Sequence, residues 1–167
     1  DVVVRGSDIK LERGLVGFAV DYRDIHFLIE LPVEGAHYVD DALAAISVGI
    51  ALGVHPQDIQ LSLSQFRNMS GRQEIFKAGE YTIINDCYNA GPESMAAALA
   101  VLGARKGRRI AVLGDMLELG VQSPALHAKV GQYLANKQVA VVAKKDASKY
   151  GSNMEEFLKK TNKLVVG

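Results

Sequence analysis

The amino-acid sequence predicts an α/β fold whose later part is Rossmann-like, with a mainly parallel sheet. Short apolar runs that suit buried strands alternate with segments of helical periodicity, and this alternation is typical of parallel strands joined by right-handed crossovers. Two of these runs, Tyr81–Ile84 and Ile110–Leu113, lead directly into polar loops. Because open α/β sheets bind ligands at the carboxyl ends of their strands, these two loops are the first candidates for a functional site.

The first part of the chain predicts an antiparallel hairpin and a long helix. The apolar runs Gly17–Tyr22 and Ile25–Leu31 are separated by two polar residues that suit a turn. Over Val39–Leu52, apolar residues recur at helical spacing. Asp40 and Asp41 are expected in the first turn of this helix, where the helix dipole favours negative charge.

A shorter helix, Pro56–Phe66, is expected next, because proline suits the first helical position. The character of the sequence changes after it, so we expect a domain boundary between Gln65 and Gly71. The segments expected beyond the boundary are a hairpin of strands Gln73–Lys77 and Tyr81–Ile84, the helix Pro92–Leu102, the strand Ile110–Leu113, a helix capped by Ser123 and ending near Asn136, the strand Val139–Val142, the helix Met154–Lys160 and the strand Leu164–Val166.

The composition indicates a globular domain without a general affinity for polyanions. Of the 167 residues, 49% are hydrophobic and 23% are charged. Lysine plus arginine and aspartate plus glutamate both number 19, so net charge does not attract the chain to nucleic acid or to an anionic membrane. No apolar stretch approaches the roughly 20 residues of a membrane span, and no signal peptide is recognisable. A cytoplasmic location is therefore expected.

Two motifs carry a resemblance to a known family. Residues 86–95 read Asp-Cys-Tyr-Asn-Ala-Gly-Pro-Glu-Ser-Met, and residues 113–120 read Leu-Gly-Asp-Met-Leu-Glu-Leu-Gly, followed by Ser123 and His127. Together they resemble the Mur ligases, with weaker matches extending from about Phe18 to about Gly131. Within the family, the chain looks most like the member that adds D-alanyl-D-alanine to UDP-N-acetylmuramoyl-tripeptide in peptidoglycan precursor synthesis.

The resemblance implies a particular domain organisation and chemistry. Residues 1–66 would be the end of a central ATP-binding domain, and residues 67–167 a shortened C-terminal domain. In the family, ATP and Mg²⁺ convert the carboxylate of the UDP-muramoyl-tripeptide into an acyl phosphate, which the amine of D-alanyl-D-alanine attacks. The family's phosphate loop, magnesium-binding acids and modified lysine would lie upstream of Asp1. The fragment alone is therefore expected to be inactive. A monomer is expected separately, and the expected partners are these two substrates, with no nucleic acid and no membrane.

Two other interpretations remain open. The chain could be another amide ligase of the Mur or folylpolyglutamate type, although the Tyr-Asn-Ala segment at residues 88–90 argues against this. It could also be a non-catalytic binding module that kept the fold and lost the activity. The absence of a Gly-x-x-x-x-Gly-Lys-[Ser/Thr] loop from the sequence is compatible with either a fragment or such a module.

The first motif and the boundary supply four nucleotide-binding candidates. In the family, the aspartate at the place of Asp86 binds ribose; a helix-capping or turn aspartate is the alternative. Tyr88 and Asn89 follow in the loop that faces the cleft, and a packed aromatic is the alternative for Tyr88. The family also places a linker arginine on the nucleotide phosphates, which implies this role for Arg72. Its alternative is a surface pair with Glu74.

His37 and Asp41 are candidates for contact with the nucleotide base. Family members read His-Asn-x-x-Asn-Ala here, whereas this chain has Tyr38 and Asp41 in place of the two asparagines. A carboxylate only accepts hydrogen bonds, whereas an amide both donates and accepts. Adenine recognition by Asp41 would therefore need a rearranged or protonated side chain, and a capping or surface role is the alternative.

Asp115 and Glu118, in the second motif, are substrate candidates. Acidic side chains at this place could orient an amine nucleophile or face a magnesium-bound phosphate indirectly. The alternative is that they cap a helix or hold Arg108 or Arg109. His127 falls on the first turns of the following helix, where a capping or surface role is also expected.

Overall fold

The computed structural model describes residues 3–143. The chain divides into two compact units, Asp1–Arg67 and Asn68–Gly167. The helix predicted at Met154–Lys160 and the strand predicted at Leu164–Val166 lie outside the described residues. None of the helices within residues 3–143 combines the length and the apolar character that crossing a membrane requires.

The first unit contains a three-stranded antiparallel sheet in the order β1 (Arg5–Glu12), β2 (Leu15–Tyr22) and β3 (Ile25–Leu31). The predicted hairpin is confirmed, since β2 pairs with β3 in continuous register. The sequence did not predict β1. Most of its side chains are exposed, so it lacks the alternation of apolar and polar residues that marks a half-buried strand, and its register shifts around Asp8, where φ is 51°.

Two helices, α1 (His37–Ala51) and α2 (Pro56–Ser64), complete the first unit. Because α1 begins two residues earlier than predicted, Asp40 lies in its first turn but Asp41 does not. The apolar faces of the sheet and of both helices form one core, whose buried residues are Val16, Phe18, Val20, Phe27, Ile29, Leu31, Val33, Val39, Ala42, Ile46 and Ile59.

The second unit contains two hairpin strands and a parallel βαβ element. Its elements are β4 (Glu74–Ala78), β5 (Tyr81–Asn85), α3 (Pro92–Gly103), β6 (Ile110–Leu113), α4 (Ser123–Asn136) and β7 (Ala140–Ala143). Strands β4 and β5 are antiparallel, whereas β6 and β7 are parallel and are joined through α4. The α/β class is confirmed. The parallel pairing within the described residues is that of β6 with β7.

A second hydrophobic core holds the ends of β5 and β6 in place. Ile84 from β5 and Ala111 from β6 are buried in one cluster with Leu99 of α3 and Leu134 of α4. This packing fixes the points at which the chain leaves the two strands. Both motifs singled out in the sequence begin at those points.

The start of α4 differs from the prediction. A one-turn 3₁₀ helix, Gly120–Gln122, runs directly into α4, so Ser123 is the first residue of the α-helix and not its N-cap. The Ser123 hydroxyl instead lies 3.3 Å from Nδ1 of His127. The predicted cap is wrong because the preceding helical turn leaves no extended residue at which a side chain could turn back onto the helix.

Candidate functional site

The segment that precedes β4 is tied by hydrogen bonds to the chain just after β5. The Tyr88 N–H donates to the Gly71 carbonyl, and the Gln73 N–H donates to Oδ1 of Asp86, each at 3.0 Å. Gly71 and Gln73 have φ values of +75° and +46°, so the segment turns sharply on both sides of Arg72. Arg72 is therefore presented from a short segment that is anchored on each side.

The carboxylate of Glu74 holds the same segment through several hydrogen bonds. Its Oε2 accepts hydrogen bonds from the Ser70 hydroxyl at 3.0 Å, the Gly71 N–H at 3.3 Å and the Asn85 amide at 3.2 Å. The bonds from Ser70 and Gly71, with a smaller effect of Asn85, lower the pKa of Glu74 against an opposing effect of burial. Among the described residues Arg72 forms no ion pair with Glu74, so the predicted surface pair is wrong.

The guanidinium of Arg72 lies over the aromatic ring of Tyr88. The distance from Cζ to the ring centroid is 3.9 Å, and both side chains are exposed, Tyr88 at 69%. A cation held over a ring face is attracted by the ring quadrupole, and this contact limits where the guanidinium can move. Tyr88 is therefore neither a buried aromatic nor an isolated one. Stacked in this way, the Arg72 guanidinium remains accessible as a donor to an anionic group.

The Asp86 carboxylate has one oxygen engaged and one available. Oδ1 accepts the Gln73 N–H, and within residues 3–143 Oδ2 has no hydrogen-bond partner. Asp86 does accept a backbone N–H, as the turn alternative required, but it does not cap the next helix, whose N-cap is Gly91. The neighbouring Asn89 is exposed, and its Oδ1 accepts the N–H of Ala90 at 2.9 Å.

The loop after β6 is held from α4. The Met116 N–H donates to Nε2 of His127 at 3.2 Å, and Nδ1 of His127 lies 2.8 Å from the Ser123 carbonyl oxygen. The Met116 side chain is 4% exposed, so the middle of the loop is also anchored by burial. His127 thus has an internal structural contact that sequence spacing did not indicate.

Asp115 and Glu118 stand on either side of this anchored residue, and both are exposed. Neither takes part in an ion pair within the described residues, and neither caps the following helices. Arg109 donates instead to the Gly103 carbonyl at 2.8 Å. The predicted structural alternative for the two acidic residues is therefore wrong in the part of the chain that the structure describes.

His37 and Asp41 belong to the first unit, whereas the other candidates belong to the second. His37 is the first residue of α1, and its ring centroid lies 4.3 Å from that of Tyr38. Tyr38 in turn meets Phe66 edge-on at 6.3 Å. Asp41 is exposed on the helix and forms no cap, because the N-cap of α1 is Ala36.

Within residues 3–143, no three His, Cys, Asp or Glu side chains come together as a metal site. Of the candidate residues, Arg72, Tyr88 and Asp86 lie together at one site, whereas Asp115 and Glu118 lie in a separate loop. The sequence did not indicate the three hydrogen bonds that Glu74 accepts. It also did not indicate the hydrogen bonds by which His127 holds the loop after β6. The sequence suggested Glu74 only as a partner for Arg72, and no local pattern indicates its three donors.

The chain is similar to a family of known proteins over most of its length. Residues 71–165 match the family model described as Mur ligase, glutamate ligase domain. The UDP-N-acetylmuramoyl-tripeptide–D-alanyl-D-alanine ligase of Buchnera aphidicola is 33% identical over 152 residues, which cover 82% of this chain and 33% of that protein. The Escherichia coli protein of the same name is 38% identical over 103 residues, which cover 61% of this chain and 23% of that protein.

A solved structure agrees with these similarities. The crystal structure of MurF from Acinetobacter baumannii superposes with a TM-score of 0.76 at 31% identity, covering 92% of this chain and 35% of that one. The chain thus spans a third or less of the length of the two curated relatives, so it corresponds to one part of such a protein.

Proposed function

Because the chain belongs to the Mur ligase family, we propose that it is part of an ATP-dependent ligase that adds D-alanyl-D-alanine to UDP-N-acetylmuramoyl-tripeptide. The proposal includes a cytoplasmic location, and it assigns residues 1–66 to a central ATP-binding domain and residues 67–167 to a C-terminal domain. The observation that carries it is the anchored pair of Arg72 and Asp86, with a guanidinium and a carboxylate oxygen both available to a ligand.

The two residues suit different parts of a nucleotide. Oδ2 of Asp86 is an unengaged acceptor beside an engaged Oδ1, so it can accept hydrogen bonds from ribose hydroxyls without releasing the backbone. Arg72 can donate to phosphate oxygens from its place over Tyr88, in a bidentate arrangement that a lysine could not reproduce. Asn89 lies beside Tyr88 in the same loop and is a further polar contact in this proposal.

Bound ATP with Mg²⁺ would supply the phosphoryl group that activates the tripeptide carboxylate as an acyl phosphate. Arg72 would offset negative charge that develops on the phosphate, and this effect is larger in the transition state than in the ground state. The magnesium ligands are proposed to come mostly from the rest of the protein. His37 would lie near the base, and Asp41 would contact adenine only as an acceptor or in protonated form.

The second loop is proposed to receive the incoming dipeptide. Asp115 and Glu118 are exposed carboxylates without an ion-pair partner in the described part of the chain, so they can accept hydrogen bonds from the ammonium group of D-alanyl-D-alanine. A carboxylate in this role holds and orients the amino group, which attacks once it has lost a proton and become the neutral amine. Orientation of a reacting group lowers the entropic part of the barrier.

The proposal is tested by ligation with the full protein that contains this chain. The protein is mixed with ATP, Mg²⁺, UDP-N-acetylmuramoyl-tripeptide and D-alanyl-D-alanine, and the amide product is identified by mass spectrometry. We expect a product that requires all four components, and no product from residues 1–167 alone. Ligation of a single amino acid in place of the dipeptide would support another amide ligase, and binding without ligation would support a non-catalytic module.

A further inference from the structure

We propose that His127 is a positioning residue, held in the tautomer with its proton on Nδ1, that sets the loop carrying Asp115 and Glu118. The effect of this loop on the incoming amine depends on the proposed function. The tautomer and the anchoring of the loop do not depend on it. His127 touches Met116 and Ser123, so it acts through the backbone of the loop.

Two hydrogen bonds of the ring to backbone groups determine its tautomer, and the Ser123 hydroxyl, 3.3 Å from Nδ1, can accept from the same N–H. Nε2 faces the N–H of Met116 and must accept, while Nδ1 faces the carbonyl oxygen of Ser123 and must donate. A neutral imidazole has one donor and one acceptor, so only the tautomer protonated at Nδ1 satisfies both neighbours. In the other tautomer, the N–H at Nε2 would face the N–H of Met116, and the unprotonated Nδ1 would face the carbonyl oxygen of Ser123.

The bond to Met116 fixes the loop at its centre. Met116 is buried, whereas Asp115, one residue before it, and Glu118, two residues after it, are exposed. Beyond it the chain takes left-handed φ values, 62° at Glu118 and 54° at Gly120, so the loop turns sharply before the 3₁₀ helix. Because the Met116 backbone is held, the backbone positions from which the two carboxylate side chains project are fixed.

Loss of the hydrogen bond between Met116 and His127 would therefore change the positions of the two carboxylates but not their chemistry. A released Met116 N–H allows the loop to open, and an ammonium ligand would then meet carboxylates spread over several arrangements. An amine that contacts both carboxylates needs both of them in position at once. Its apparent affinity is therefore reduced in proportion to the fraction of molecules in which the loop is correctly arranged. Nucleotide contacts at Arg72 and Asp86 do not involve this loop's hydrogen bonds.

The test uses two substitutions that separate the two sides of the ring. His127→Gln retains an oxygen acceptor at about the reach of Nε2, whereas His127→Asn retains only a short group near Nδ1. In the ¹⁵N-labelled chain, the imidazole nitrogens should report the Nδ1-protonated tautomer. Hydrogen exchange at the Met116 amide should accelerate about tenfold in His127→Asn, the effect of one ordinary hydrogen bond, and much less in His127→Gln.

Exchange at Leu134, in the core-facing part of α4, is the control for intact folding. An Nε2-protonated ring, or unchanged Met116 exchange in His127→Asn with Leu134 still protected, would overturn the positioning role.

In the full ligase, His127→Asn should raise the KM for D-alanyl-D-alanine while leaving the KM for ATP unchanged, and His127→Gln should restore it. Equal KM values in all three forms would overturn the effect on the amine. A wild-type protein without ligase activity would refute the proposed function alone, because the NMR result still decides the role of His127.

Discussion

Replacing Asp86 should separate two contributions that its carboxylate makes. Oδ1 accepts the N–H of Gln73, a residue that is 4% exposed, while Oδ2 is available to a ligand. Asp86→Ala removes both acceptors, whereas Asp86→Asn can keep a carbonyl oxygen toward Gln73 and loses the charge. The two variants should therefore differ in stability but agree in weakened nucleotide binding.

The size of the stability effect follows from the buried N–H. Removing the acceptor of a buried backbone donor costs about 1–3 kcal/mol, so Asp86→Ala should lower the free energy of unfolding by that amount. Asp86→Asn should lower it by less than about 1 kcal/mol, since a neutral hydrogen bond replaces a charge-assisted one. Urea unfolding of the chain, followed by circular dichroism, measures both values. Asp24→Asn, in the exposed turn before β3, is the matched control.

Nucleotide binding is measured by calorimetry on the full protein. Asp86→Ala should weaken ATP binding by about 1–3 kcal/mol, the range for losing a hydrogen-bonding partner of a polar ligand. Asp86→Asn should lose much of the same affinity although it stays folded. Wild-type affinity in a stable Asp86→Asn variant would refute the ribose contact, and wild-type stability in Asp86→Ala would refute the anchoring role of Oδ1.

Substitutions at three further places test other candidate residues. Arg72→Ala should reduce turnover more than ATP affinity, because its contact is proposed to strengthen in the transition state, and Arg72→Lys should not restore turnover. The pKa of Glu74 is lowered in the folded state, so its stabilising contribution is complete above the ordinary glutamate pKa and is lost as pH falls through the lowered value. Urea unfolding at several pH values should show that loss, and Glu74→Gln should flatten it. Tyr38→Asn combined with Asp41→Asn should strengthen ATP binding in calorimetry if these positions face adenine; unchanged or weaker binding would refute that placement.

The elements that the sequence predicted well are those with one strongly buried face. Strand β3 has the predicted bounds, Ile25–Leu31, because its buried and exposed side chains alternate. Helix α3 begins at Pro92 as predicted, since proline suits a first helical turn. Strand β1 was missed because its mostly exposed residues provide no such alternation.

The internal contacts of the site depend on parts of the chain that are distant in sequence. Gln73 and Asp86 are thirteen positions apart, and Met116 and His127 are eleven apart, so no local pattern relates them. The left-handed φ of Gln73 is equally hidden, because glutamine has no special preference for that region. The sequence could predict which loops carry polar groups. It could not predict which of those groups hold the loops together.

Hydrogen exchange of the full protein, with and without ADP, tests most directly whether the Arg72 and Asp86 site binds a nucleotide. Exchange is followed by mass spectrometry on peptides that cover residues 68–74 and 86–91, and the β4–β5 turn around Gly79 serves as the internal reference. ADP should slow exchange in both peptides and leave exchange in the reference turn unchanged. Protection confined to other parts of the protein, with both peptides exchanging as in the free state, would contradict this prediction.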